Sequence, residues 1–198
     1  MNIVFDLGGV VVRWEPDVLI ASVFDDPATR KTVRRHLIDH DDWLALDRGT
    51  LTPVEAAARA SVRTGLEVGV ISRFLERVPP ALAPMPQTLD LLPQLKHRGH
   101  RLFCLSNMQF ASIEYLERTY SFFEFFDGAV ISCRIKAIKP EPAIYAHLLA
   151  SQAIRPHETV FIDDIEANLV AAARFAIRTI QFETAAQCEQ ELRRLGCL

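Results

Sequence analysis

Two aspartates in succession close one apolar run, Thr159-Val160-Phe161-Ile162-Asp163-Asp164, and a third, Asp6, closes another, Ile3-Val4-Phe5-Asp6. An apolar, β-branched run ending in acid is how a buried parallel strand delivers carboxylates to the C-terminal edge of a sheet, where α/β proteins place their chemistry. Three carboxylates gathered at such an edge repel one another and need a cation. Oxygen donors of this kind suit a hard divalent metal, and a metal in that setting points to phosphate chemistry.

Other residues fit the same chemistry, each with an ordinary structural explanation beside it. Asp6 precedes Leu7-Gly8-Gly9; an aspartate there is a nucleophile, a metal ligand, or a turn residue beside glycines. The two glycines let backbone amides and carbonyls approach a small anion or metal. The run Leu102-Phe103-Cys104-Leu105 ends in Ser106-Asn107 ahead of a helical pattern. A hydroxyl and the free amides of a helix start make an anion site; equally, either residue can simply cap the helix. Lys139, in Ile138-Lys139-Pro140-Glu141-Pro142, is kept out of helix geometry by the following proline. So held, it can neutralise phosphate oxygens and relieve carboxylate repulsion, or it can lie in solvent. Asp164 can cap a helix beginning at Ile165, but Asp163 would then sit beside it as an unpaired like charge. The histidines (His36, His40, His97, His100, His147 and His157) form no ligand-spaced cluster.

Short apolar runs alternate with helical patterns along the chain, which predicts βα units and a mostly parallel sheet. Strands are expected at 2–5, 101–105, 129–132, 159–162 and 178–182, with helices at 108–119, 142–152, 165–175 and 185–195. The interval from about 13 to 86 has no strand-like run and reads as helical. Thr52-Pro53-Val54-Glu55 carries a cap, a first-turn proline and the acid of a capping box. The interval closes at Val78-Pro79-Pro80-Ala81-Leu82-Ala83-Pro84-Met85-Pro86, where proline density is expected to forbid helix and form a hinge. A helical module inserted after the first strand would lie over the acidic edge, excluding water and selecting substrate.

Composition narrows the setting. A 49% hydrophobic fraction with 24% charged residues is ordinary for a chain with a real core. The net charge of −3 and the lack of a basic stripe argue against nucleic acid. Cys104, Cys133, Cys188 and Cys197 are widely spaced with no C-x-x-C pair, so reduced thiols are expected rather than a zinc or redox site; Cys104, within an apolar run, reads as core. No stretch of about 18 apolar residues predicts a membrane span, and no basic, cleavable leader is evident. A cytoplasmic protein is the expectation.

The order of these elements is harder to obtain by chance than any one of them. Phe5-Asp6-Leu7-Gly8-Gly9-Val10, Leu105-Ser106-Asn107, Lys139-Pro140-Glu141-Pro142 and Phe161-Ile162-Asp163-Asp164-Ile165-Glu166-Ala167-Asn168 resemble the four motifs of the haloacid dehalogenase-like hydrolase superfamily. They look most like its small-capped subgroup containing the bacterial α-D-glucose-1-phosphate phosphatases, with the phosphatase domain of soluble epoxide hydrolases more distant. Trp43 followed by Arg48-Gly49 resembles a pattern in that subgroup's cap; inner packing of Trp43 and a turn at Asp47-Arg48-Gly49 are the local alternatives. The resemblance implies that Asp6 is the nucleophile and forms an aspartyl-phosphate. It implies that Ser106 and the Asn107 amide hold phosphoryl oxygens and that Lys139 steadies the charge. Mg²⁺ would be held by Asp6, the Gly8 carbonyl and Asp164, with Asp163 direct or through water. A metal and a lysine together offset the charge that keeps one anion from attacking another.

One position departs from the superfamily. Most of its phosphatases carry a second aspartate two residues after the nucleophile as general acid and base, and here Gly8 stands there. The subgroup shares this glycine. It implies either an easily departing leaving group, such as an anomeric or acyl phosphate, or an acid supplied by water, substrate or the insert, where Asp42 and Asp47 are candidates. Loss of an acid/base removes about 10²–10⁴-fold in rate, so slow turnover is expected. Ala176, where glycine is usual in the superfamily, concerns packing. The expected fold is α/β: a three-layer Rossmann-like core at 1–14 and 86–198 with a mostly parallel sheet, and an all-helical cap at 15–85. The expected activity is Mg²⁺-dependent hydrolysis of a small phosphorylated metabolite, a sugar phosphate in the first instance. A monomer, or at most a weak dimer, is expected. The alternatives are a metal-free 2-haloacid dehalogenase, to which a doubled carboxylate adds nothing, and a phosphate- or metal-binding module that lost catalysis at Gly8.

Overall fold

The apolar runs become strands, as expected. A computed structural model describes the chain from Met1 to Leu198. Its sheet contains β1 (Asn2–Phe5), β2 (Arg101–Ser106), β3 (Gly128–Ile131), β4 (Thr159–Asp163) and β5 (Arg178–Gln181). All pairings are parallel, in the order β3-β2-β1-β4-β5. β1 is central, with β2 and β4 on either side, so the three strand ends that carry Asp6, Ser106 and Asp163 are neighbours.

Side chains alternate across the sheet, because successive Cβ atoms point to opposite faces. Ile3, Phe5, Leu102, Cys104, Val160 and Ile162 pack on one face with Leu92, Ile113, Leu116 and Leu192. Val4, Phe103, Leu105 and Phe161 pack on the other with Ile144, Tyr145, Leu148 and Leu169. The first set reaches α8 (Leu91–His97), α9 (Phe110–Thr119) and α13 (Ala185–Arg194); the second reaches α11 (Pro142–Ser151) and α12 (Glu166–Ala173). Two helical layers on a parallel sheet follow from these buried stripes.

Between β1 and α8 the chain is helical: α1 (Pro16–Val23), α2 (Pro27–Val33), α3 (Asp41–Arg48), α4 (Pro53–Thr64), α5 (Val68–Glu76), α6 (Val78–Ala81) and α7 (Pro86–Leu89). The expected capping box at α4 is formed, with Thr52 and Glu55 bonding reciprocally. A separate apolar cluster runs from Leu19 to Val78, with Trp14 packing against both it and the sheet cluster. The chain entering this segment is bonded to the chain leaving it. Arg13 N–H donates to the Ala83 carbonyl and Met85 N–H to the Val11 carbonyl, both at 2.8 Å.

Three local expectations need correction. The proline-rich segment is not free of helix, since α6 and α7 lie within and beside it. Proline lacks only the N–H that the first turn leaves unpaired, and Pro16, Pro27, Pro53, Pro86 and Pro142 open helices in the same way. The helix after Asp164 starts at Glu166 with Ile165 as its N-cap and no side-chain cap, so Asp164 does not cap it. Neither Ser106 nor Asn107 caps α9, whose first residue is Phe110 and whose N-cap is Gln109. Between β3 and α11 a short α10 (Ser132–Ile135) touches α3. The four cysteines are unpaired and buried.

Candidate active site

Each acid sits at the C-terminal edge because its strand ends there. Asp6 follows β1, its backbone N–H donating to the Ile162 carbonyl at 2.9 Å. Its Oδ1 accepts from the Leu7 N–H at 2.7 Å. Its Oδ2 lies 2.7 Å from Lys139 Nζ, and the same ammonium donates to Asp163 Oδ2 at 2.6 Å. Lys139 therefore stands between two carboxylates, all three groups almost wholly buried. Asp163 is not unpaired: Lys139 neutralises it, the Ile165 N–H donates to its Oδ1 at 2.8 Å, and Asn168 Nδ2 reaches both oxygens at 3.0 Å.

Burial raises the Asp6 carboxyl to about 7; Lys139 opposes that rise, the charge of Asp163 adds to it, and the Ser106 hydroxyl opposes it. The Lys139 ammonium is also raised, because Asp6 and Asp163 outweigh the burial that would strip its proton. Asp164 is exposed and is pushed up by partial burial and by Asp163. Its carboxylate packs on Gly9, where φ is 77° and an added Cβ would stand 2.5 Å from Asp164 Oδ2. Glycine at 9 thus answers both a left-handed backbone and a close approach.

Oxygens of Asp6, Asp163 and Asp164 all lie within 4.8 Å of one another. Three carboxylates at that spacing are a hard-cation donor set, so these residues fit Mg²⁺. Gly8 lies beside them and lines the same cavity.

The other expected residues divide. Ser106, at the end of β2, is buried with its hydroxyl toward Asp6, while Asn107 lines the cavity. The Asn107 side chain also clasps the lysine loop: Oδ1 accepts from Lys139 N–H at 2.7 Å and Nδ2 donates to the Lys139 carbonyl at 2.9 Å. Of the two acids in the insert, Asp42 is buried against Arg63 at 2.7 Å and Arg59 at 3.2 Å, off the cavity wall. Asp47 faces the cavity. Trp43 is both packed and exposed to the cavity, stacked on Trp14 with ring centroids 5.6 Å apart. The segment Asp47-Arg48-Gly49 is the last turn of α3 and its left-handed cap. It meets the core at several points. Arg48 forms a two-pronged pair with Glu141 at 2.6 and 2.7 Å, Lys136 Nζ donates to the Gly49 carbonyl, and Ser132 Oγ donates to the Asp47 carbonyl at 2.5 Å.

Asn168, Gln109 and Trp14 join the site without having been assigned roles from the sequence. Asn168 lies in the first turn of α12, five residues beyond Asp163, and reaches back to it. A polar side chain one turn past an acid-ended strand was the available signal. The cavity, of about 290 Å³, is walled by the sheet edge below and the helical insert above.

Over residues 1–176 the chain matches the haloacid dehalogenase-like hydrolase family. It belongs to that family. Among relatives of this haloacid dehalogenase-like hydrolase is the sesquiterpene phosphatase astK of Aspergillus oryzae, 26% identical over 98% of this chain and 96% of that one. The D-ribitol-5-phosphate phosphatase of Bacteroides thetaiotaomicron is 25% identical over 96% of each. A HAD family enzyme from the same bacterium, solved with magnesium and inorganic phosphate, superposes with a TM-score of 0.70 at 23% identity, covering 92% of this chain and 93% of that one. No helix is long and apolar enough to cross a membrane.

Proposed function

We propose that this hydrolase is a Mg²⁺-dependent phosphatase that releases phosphate from a small phosphorylated metabolite through an aspartyl-phosphate on Asp6. The observation that carries the reading is the convergence of Asp6, Asp163 and Asp164 within 4.8 Å, with Lys139 wedged between two of them. Asp6, Asp164 and the Gly8 carbonyl would hold the metal, with Asp163 direct or through water. When bound, Mg²⁺ supplies positive charge against the phosphoryl oxygens and favours the ionised carboxylates.

Asp6 attacks phosphorus as the carboxylate, held in aim by the Leu7 N–H on its other oxygen. Lys139 keeps its proton and lowers the repulsion between nucleophile and phosphoryl group. The Ser106 hydroxyl beside Asp6 and the Asn107 backbone amide would offer donors to the phosphoryl oxygens. Asn107 also fixes the lysine loop, so one side chain couples the β2 edge to the ammonium.

The proposed substrate is a sugar phosphate in the first instance. The Trp14–Trp43 pair presents flat indole surface to a cavity large enough for a phosphoryl group and a small ring. A second reading, the phosphate of an apolar alcohol, is favoured by Ile38, Leu44, Val78, Leu82, Met108 and Ile165 around the same cavity, and by the name of the sesquiterpene phosphatase relative. The proposed residue limits are a core at 1–14 and 86–198 and a cap at 15–85.

The test is phosphate release from sugar phosphates and prenyl monophosphates in Mg²⁺ or EDTA, with Asp6→Asn alongside. Release is expected only with Mg²⁺ and only in the wild type; the better ester class decides between the readings. Halide release from 2-haloacids in EDTA would overturn the proposal, as would equal rates in the Asp6 variant.

A further inference from the structure

The family's usual acid is missing at Gly8, and the cavity holds a carboxyl group placed to stand in for it. Asp47 lines the same cavity as Asp6, Gly8 and Asp164. The other carboxylates of the insert near the site are committed elsewhere: Asp42 to Arg59 and Arg63, and Asp39 to Arg34, which reaches both its oxygens at 3.0 Å. Asp47 forms no ion pair.

Its backbone is fixed from the core. Ser132 Oγ donates to the Asp47 carbonyl and accepts the Met108 N–H at 2.9 Å, tying α3 to the loop after β2. The next residue is clamped by Glu141, and Gly49 lies so close that a Cβ there would stand 2.7 Å from the Cys133 carbonyl. With its own carbonyl and its next two residues tied to the core, Asp47 keeps its backbone place at the cavity.

We infer that Asp47 gives its proton to the leaving oxygen and recovers one from the attacking water, doing from the helical insert what Gly8 cannot. This rests on the phosphatase reading. In the first step an Asp6 oxygen bonds to phosphorus, the bond from phosphorus to the ester oxygen breaks, and the Asp47 proton passes to that oxygen to give the alcohol. In the second, water bonds to phosphorus, its proton returns to the Asp47 carboxylate, and the bond to Asp6 breaks, releasing phosphate. Burial raises the Asp47 carboxyl to about 7, with the Asp6 charge adding, and Gln109 and Lys139 opposing. The buried Gln109 Nε2, which lines the same cavity, has no hydrogen-bond partner. A group titrating near neutrality can serve in both directions.

The experiment compares two esters of similar size in Mg²⁺: benzyl phosphate, whose alkoxide needs a proton to depart, and 4-nitrophenyl phosphate, whose phenolate does not. In Asp47→Asn the ratio of benzyl to nitrophenyl kcat/KM, which reads only the step that expels the alcohol and not the shared hydrolysis of the Asp6 phosphate, is expected to fall by about 10²–10⁴-fold. Asp47→Ser is expected to show the same fall, which guards against a fault peculiar to the amide. A ratio within threefold of wild type in a folded variant would overturn the inference, because a merely structural role lowers both rates together. Wild-type protein that releases no nitrophenol in Mg²⁺ would remove the phosphatase reading itself, and this inference with it.

Discussion

Replacing Gly9 with alanine separates two jobs done by one residue. Gly9 has φ of 77°, and its added Cβ would meet Asp164 Oδ2 at 2.5 Å and Cγ at 2.8 Å. The left-handed backbone alone costs about 1–2 kcal/mol for a residue with a Cβ. At about 2–4 °C per kcal/mol for a chain of this size, Tm should drop by about 2–8 °C. Ordinary carbon–oxygen contact also requires the Asp164 carboxylate to retreat by about 1 Å. Magnesium demands near-ideal geometry, and disturbing a ligand's support typically costs about 10–100-fold in affinity. Gly99→Ala is the control: φ is 79° with nothing within 4 Å of the added Cβ, so it should share the strain and keep the metal. Thermal denaturation and Mg²⁺ titration by calorimetry read the two effects separately. Gly9→Ala binding Mg²⁺ within threefold of wild type would refute Asp164 as a ligand positioned by this contact.

Three further outcomes follow from the same geometry. Gly8→Asp added to Asp47→Asn should restore the benzyl-to-nitrophenyl ratio at least tenfold. An added Cβ at Gly8 has only Trp14 Cβ near it, at 3.8 Å, so failure to restore would argue that the lost function is not a proton. Lys139→Met leaves Asp6 and Asp163 facing each other; breaking a buried pair costs about 3–5 kcal/mol, and denaturation should show part of this recovered when Mg²⁺ is added. Equal stability in Mg²⁺ and chelator would refute that. Asp42→Asn should cost about 1–2 kcal/mol, discounted because Arg59 is more than half exposed, without changing the ester ratio. Burial pushes the Asp42 carboxyl up, but Arg63 and Arg59 hold it below its usual range. Its stabilisation is therefore complete above the unfolded value of about 3.9 and lost as pH falls through the folded one. The gap between wild type and variant, followed by denaturation against pH, should close only below about pH 4.

The sheet was legible in the sequence because a buried parallel strand must be apolar throughout, and such runs have sharp ends. All five strands lie within a residue or so of expectation; β3 is shifted by one, to Gly128–Ile131. The acids were legible for the same reason, since each breaks an apolar run. The choice between Asp42 and Asp47 was not. Five residues apart on a helix, they point about 140° away from each other, so one faces the cavity and the other the arginines. Only the packing of α3 decides which. The clasp of Asn107 on Lys139 was equally hidden, because it joins residues far apart in the chain through contacts no local pattern records. The proline-rich segment misled because prolines were counted rather than placed: at a helix start the same residue favours what it forbids further in.

The crossed bonds between Val11 or Arg13 and Ala83 or Met85 have a mechanical consequence. Two connections laced side by side as a short antiparallel pair form one stalk, which resists sideways sliding of one strand past the other. The helical module would then admit and release molecules by tipping, with its travel greatest at the end opposite the stalk. Any such tipping would have to break the Arg48–Glu141 pair and the hydrogen bonds from Lys136 and Ser132 to the carbonyls of Gly49 and Asp47.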